Sequence, residues 1–445
     1  MQPAQSRLWT RSKAARRLAV AVVVGVTGSV AGITGIAASS ASAKTAKTAK
    51  PVTLQFWSTY DLKDKEESTF VNVIIKKFEK ENPGIKVQAS VYLYADLLPK
   101  FLAASAAGDP PDLMRSDIQW VPQLASEGVI KNVGEVPGFA AIKSATLPGP
   151  LATTHVATGE APGYYAFPDD TNTQALFWNK ALFAAAGISG PPTTLSQMYA
   201  DAAKLTDASK QQYGLGVDGT DMWNMAPYIW SSGGGFTNAK YNSATGVMNN
   251  STTVNAVTSL VNLLKAGDIG SDFLGGASAV SGEEGFPKGE YAMYIDGPWA
   301  VDTYKADSPM PAYGIAPFPK GAGGSVSTVG GEDIVVANGG HHITAAEKFA
   351  EFLDSPFAQD AMAAQGDMST ETTDAAAEVK TTPYLKVFAQ QLETAKVRAV
   401  SAGYSQMDSD WSTELGAILA GKVSVSAGLN TAAAESNGAL RGIAP

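Results

Sequence analysis

Cysteine is missing from the chain altogether. That one absence excludes disulfide stapling, thiol nucleophiles, cysteine metal sites and attachment of lipid to an N-terminal cysteine. Histidine is almost as scarce, with only His155, His341 and His342. The last two stand in "NGGHHITAAEKF" and read as a surface pair at a helix entry, not as acid–base or metal residues. The chain also lacks G-x-S-x-G, H-E-x-x-H and G-x-x-x-x-G-K-[ST]. "DDTNT", Asp169–Thr173, carries oxygen ligands without the D-x-[DN]-x-[DN]-G spacing of a calcium loop. No metal and no cofactor is expected. Basic residues are in the minority, 33 Lys and Arg against 42 Asp and Glu, which argues against nucleic acid and anionic membrane surfaces as partners.

What is present falls into two unequal parts. Arg7, Arg11, Lys13, Arg16 and Arg17 precede the run "LAVAVVVGVTGSVAGITGIAA" and the triplet Ala41-Ser42-Ala43. Positive flank, apolar stretch and small-residue site in that order predict an export signal over 1–43. The Arg16-Arg17 pair keeps the folded-protein export route as an alternative, and an uncleaved anchor is another. Residues 44–50 form a polar linker. The remainder exceeds what one hydrophobic core usually serves, so two lobes are expected. The whole chain's 45% hydrophobic and 17% charged content is that of a globular protein.

From Pro51 the pattern alternates. "VTLQFW" reads as a strand, and Phe70, Ile74 and Phe78 then give one helix face that Asn82-Pro83-Gly84 stops. "IKVQASVY", "DLLPKFLAASAAG" and "DLM" continue as strand, helix, strand, which predicts an α/β architecture with right-handed crossovers and a parallel sheet. Ligands meet such sheets at the carboxyl ends of the strands, placing Trp57–Asp61 and Arg115–Asp117 at two of them. From Thr171 to about Thr303 the chain reads mainly as helices with Gly-rich joints. "YAMYID", "YGIAPFP" and "EDIVVA" are expected strands, and "AAEKFAEFLDSPFAQDAMAAQG" a helical segment broken at Ser355-Pro356.

Tryptophan carries the functional signal. Trp57, Trp223, Trp230, Trp299 and Trp411 stand among Gly, Asp and Asn near predicted element ends. A pyranose lays its C–H faces on aromatic rings, and its hydroxyls donate charge-assisted hydrogen bonds to carboxylates. The set therefore fits a hydroxyl-rich ligand. Asp169 and Asp170 keep a glycan hydrolase with a carboxylate pair open, although sequence neighbours cannot flank a bond from opposite sides.

The order "LQFWSTYD", "FEKENPGIKV", "LAASAAGDPPDL", "ALFWNKALFAAAGISGPPTT", "GGGF", "FPKGEYAMYIDGPW", "YGIAPFPKGAGG" and "AAEKFAEFLDSP" resembles the sugar-binding, maltodextrin-binding-protein-like solute-binding proteins of ABC importers over residues 51–435. The resemblance implies a two-lobe, periplasmic-binding-protein-like α/β fold closing on a sugar at a hinge. Lobe I would comprise 51–165 and 299–350, and lobe II 166–298 and 351–445. It implies ligand contacts from Trp57, Tyr60, Asp61, Arg115, Ser116, Asp117, Asp170, Asn172, Trp223, Trp230, Gly233, Asp296, Trp299, Gly331, Glu332 and Trp411. Phe177 and Trp178 are expected in the core. It further implies a non-enzymatic, monomeric receptor that hands a carbohydrate to a membrane permease from an extracellular or periplasmic, cell-surface-associated position. A soluble carbohydrate sensor and a binder of another polar solute, such as glycerol phosphate, are the alternatives. Two departures stand out: no cysteine is available for the usual lipid tether, and "QGDMST" replaces a Pro-containing loop.

Overall fold

A computed structural model describes residues 51–441 apart from 61, 63–64, 158–161, 271–272, 274–280 and 307–310. The predicted export signal, its linker and Asp61 lie outside the described residues. Ten strands are described: β1 (Val52–Ser58), β2 (Ile85–Val91), β3 (Leu113–Asp117), β4 (His155–Val156), β5 (Gly163–Tyr164), β6 (Phe167–Pro168), β7 (Ala175–Asn179), β8 (Met293–Asp296), β9 (Tyr313–Ala316) and β10 (Glu332–Val336).

Two sheets organise two lobes. The first has the order β2-β1-β3-β10-β6. β1 pairs parallel with β2 and β3, as the strand–helix–strand spacing requires. β10 then runs antiparallel to β3 and sets Glu332 opposite Asp117 and Ile334 opposite Arg115. Helices cover both faces. Leu54, Phe56, Phe70, Phe78 and Phe349 fill one core, and Leu97, Phe101, Met114, Val121 and Val335 the other. Phe70–Ile75 is a π-helical turn joining the α-helical stretches Glu66–Thr69 and Lys76–Glu81, so the helix predicted there is continuous but locally widened.

The second sheet has the order β8-β7-β9, all antiparallel. Its central strand β7 was not expected as a strand, because the run from Thr171 to Thr303 reads as helical. β7 buries Leu176 and Phe177 on opposite sides, each fully, while Trp178 is half-buried. A short, nearly continuous apolar run is what a strand covered on both faces looks like.

The chain passes between the two sets of cores three times, and all three expected boundaries move. β6 pairs with β10, so residues 166–168 still belong with the first sheet and its cores. β9 pairs with β7, so residues 313–316 belong with the second sheet and the chain returns to the first only before β10. The helices Ile343–Leu353 and Pro356–Ala363 bury Phe349, Leu353 and Met362 in the first lobe's core. The final passage therefore falls after Ala363, and Leu385, Phe388, Trp411 and Leu429 pack in the second lobe.

Candidate functional site

The three passages lie side by side. Asn172 bridges Gly330, and Thr171 bridges Met368. Glycine is required there: a Cβ on Gly330 would stand 2.1 Å from Asn172 Oδ1 and 2.5 Å from the Trp223 ring, and Gly331 has φ +126°. Arg115, in the middle of β3, ties the passages together. Its Nε lies 2.9 Å from Asp169, its Nη2 also pairs with Asp170, and it reaches Glu332 at 3.1 Å and Asp367 at 3.6 Å. Tyr60 lies beneath, its ring 4.4 Å from the guanidinium carbon. Burial, followed by the charge of Glu332, pushes the Asp170 carboxyl well above the usual carboxylate range. Burial, followed by Glu66, does the same to Asp367, and burial also raises Asp169 and Glu332 against the pull of Arg115. Burial disfavours the charged form of all four acids, and the Arg115 guanidinium works against that rise.

Beside this knot opens a cleft of about 850 Å³ lined by residues of both lobes. Asp117 stands at one wall, accepting from Tyr94 Oη at 2.8 Å and from the Gln119 amide at 2.7 Å. Trp120 packs on Tyr94 with ring centroids 4.9 Å apart. The opposite wall begins at helix Met222–Ser231, which Asp221 caps through the Asn224 amide at 3.1 Å. Trp223 in its first turn stacks with Trp299 at 6.4 Å and 30°. Arg398 lies 5.0 Å over Trp223, 5.6 Å over Tyr404 and 3.7 Å from Asp117 across the gap. A second contact spans the lobes, Ser405 Oγ to Gln123 Oε1 at 3.2 Å. Asp408 accepts from the Met222 amide at 2.6 Å, and burial raises its carboxyl to about 6.

Of the residues implied by resemblance, Arg115, Asp117, Asn172, Trp223, Trp299, Gly331 and Glu332 line the cleft. Tyr60 and Asp170 are buried under it, in the arginine knot. The others lie elsewhere. Trp57 sits on the face of β1 that packs on Tyr92, at 4.8 Å, because strand alternation gives Phe56 the other core. Ser116 is turned away by the same alternation and is fully buried. Asp296 accepts from Tyr304 Oη at 2.7 Å within the core. Trp230 and Trp411 are core residues, each edge-on to Phe236. Gly233 packs near Gly323 and Ala322. Asp61 lies outside the described residues.

Tyr94, Trp120, Asp221, Asn224, Glu283, Asp367, Arg398, Tyr404 and Asp408 also line the cleft and were not singled out for ligand contact. The "DMWN" and "YSQMDSDW" contexts hold the signal for Asp221, Asn224, Tyr404 and Asp408, since acids there neighbour aromatics. Among the described residues no group of three or more His, Asp or Glu is placed to hold a metal ion. Among them, too, no helix is long and apolar enough to cross a membrane.

Two interlocking α/β lobes with a polar, aromatic cleft at their hinge define the class of a two-lobe binding protein. Residues 63–360 match the bacterial extracellular solute-binding protein family, and the chain belongs to that family. It is similar to a binding protein of Brucella abortus, 26% identical over 271 residues, which cover 59% of this chain and 62% of the relative's length. In structure it is similar to the GacH receptor of Streptomyces glaucescens, solved unliganded and with acarbose, at 25% identity and a TM-score of 0.76 over 88% of this chain and 98% of that one. The fold is shared as well with a solute-binding protein of Thermotoga lettingae bound with α-D-tagatose, at 23% identity and a TM-score of 0.77 over 88% of this chain and all of that one.

Proposed function

We propose that the chain captures a carbohydrate between its lobes and delivers it unchanged to an ABC-type import permease. The observation that carries this reading is the company of Tyr94, Trp120, Trp223, Trp299 and Tyr404 with carboxylates and amides around one 850 Å³ cleft. Flat rings take the C–H faces of a pyranose, and fixed acceptors take its hydroxyls. Closure follows from thermodynamics: only the closed arrangement lets both walls contact the sugar, so the sugar favours it. The acarbose complex of the Streptomyces receptor supports a saccharide ligand.

The chain acts as a receptor and not as an enzyme. Asp169 and Asp170 both face Arg115, so they do not flank a substrate as a hydrolytic pair must. A phosphorylated solute would need unengaged cations, whereas both cleft arginines already face carboxylates. Family membership fits export, and the working position is outside the cytoplasmic membrane with a monomeric receptor docking to its permease.

Titration calorimetry of the purified chain against mono- to tetrasaccharides tests the reading. It predicts one-to-one binding with dissociation constants of about micromolar or tighter, near −8 kcal/mol. Absence of heat with every saccharide, together with binding of a phosphorylated or amino-acid solute, overturns it.

A further inference from the structure

Rings at the two walls of the cleft form separate groups. On the first lobe, Tyr94 opens the helix Tyr94–Ala107 and is held at two points. Its hydroxyl donates to Asp117 at 2.8 Å, and its ring packs on buried Trp120 at 4.9 Å. Burial, followed by the charge of Asp117, pushes that hydroxyl well above its ordinary range, so the polar end lies deep. The rest of the residue does not: 53% of Tyr94 stays exposed, in a wall that lines the cavity. A side chain fixed at both points has little freedom left to lose when something covers its open side. On the second lobe, Trp223 and Trp299 are half-buried and stacked at 6.4 Å. The two groups do not merge. Asp117, which anchors Tyr94, meets Arg398 at 3.7 Å, and Arg398 lies over Trp223 at 5.0 Å. An ion pair therefore stands between one set of rings and the other. The space is also generous. Its volume of about 850 Å³ falls toward the upper end of the ~300–1,000 Å³ of small-molecule sites. Ser405, which lines it, also borders a further 340 Å³ lined by Gln123, Ser126, Glu127 and Gln406.

We infer that Tyr94 is a second sugar platform, and that the ligand is an oligosaccharide with at least one ring on each wall. A pyranose seated on Trp223 and Trp299 uses those rings and the polar groups of the helix Met222–Ser231. The Asp117–Arg398 pair separates it from Tyr94, whose open side is left for the next ring of the same chain. A ring joined by a glycosidic bond loses no further translational freedom on binding, so its contact with Tyr94 adds to affinity almost in full. The phenol ring suits that contact, being flat, apolar on its face and already positioned. This inference rests on the saccharide reading above and names the size class of that ligand.

The test titrates the full chain with gluco-, manno- and galacto-configured saccharides of one to four rings, in α and β linkage. In a series that binds, affinity is expected to rise at least ~10-fold from one ring to two. Tyr94→Ala should remove most of that step. Tyr94→Phe should keep it, because the ring and not the hydroxyl makes the contact. Where melting curves show Tyr94→Ala unfolded, Tyr94→Leu takes its place, retaining apolar packing on Trp120 without a flat face. Trp223→Ala should instead weaken every length. A monosaccharide bound as tightly as its dimer overturns the inference and leaves the saccharide reading intact. So does an equal loss for one ring and two in Tyr94→Ala, the result expected of a single ring clasped between both walls. Failure of every saccharide overturns both.

Discussion

The two sides of the hinge solve different problems. Under the first lobe's wall, Arg115 is buried and draws Asp169, Asp170, Glu332 and Asp367 from three separate passages of the chain. Its partners are fixed, so it orders the crossing. At the second lobe's wall, Trp223, Trp299 and Tyr404 present rings beside Asp221, Asn224 and Asp408, next to open space. The first arrangement is closed on itself, whereas the second sets its rings and helix-capping acids beside the cleft. A close-set pair of carboxylates is therefore not evidence of a ligand site until its counter-ion has been found.

Substitutions can break this division. Arg115→Met should have the largest effect, leaving four acids around a buried vacancy of charge, with about 3–5 kcal/mol of stability lost in urea unfolding near neutral pH. The loss should shrink as pH falls, because protonated acids no longer need the arginine. Trp411→Ala should cost a similar ~3–5 kcal/mol through the cavity it leaves. Any variant that remains folded should keep its saccharide affinity. Trp223→Ala should do the reverse, changing the melting temperature little and weakening saccharide binding roughly tenfold or more, above 1.4 kcal/mol. A Trp223→Ala variant with unchanged affinity would place the guest elsewhere.

A smaller effect follows from Asp408. Its folded carboxyl is raised to about 6 from the ordinary 3.8, so between those values the folded form binds more protons than the unfolded one. Stability from this group is full at low pH and is lost as pH rises through about 6. Asp408→Asn should flatten that slope in melts taken from pH 4 to 8. The smallest effect is expected from Ser405→Ala, which removes the contact with Gln123 at 3.2 Å across the lobes. Its stability change should stay within about 0.5 kcal/mol, with a slight shift toward the open form in scattering profiles.

Much of the first lobe could be read from the sequence, because its strands alternate and its helices carry clear apolar faces. β7 could not, since "ALFWN" is apolar on both sides and has no period to distinguish it from a helix segment. The cleft was half legible for a related reason. Trp230 lies seven residues beyond Trp223, and Trp411 seven beyond Tyr404, in the same helices. Seven residues are about 10 Å of helix, so one residue of each pair meets the cleft and the other meets Phe236 in the core. Composition identifies an aromatic and acidic neighbourhood, while depth along the axis decides which ring can touch a ligand. Arg398 had no local signal at all. Its role comes from Trp223, Tyr404 and Asp117, which only the fold assembles.

The most direct measurement is a crystal structure of the chain with its tightest-binding saccharide. The account predicts the sugar against Trp223 and Trp299, with hydrogen bonds to Asp117 or Gln119 from one lobe and to Asp221 or Asn224 from the other. A sugar bound on an outer face, or held by one lobe alone with the cleft empty, would contradict it.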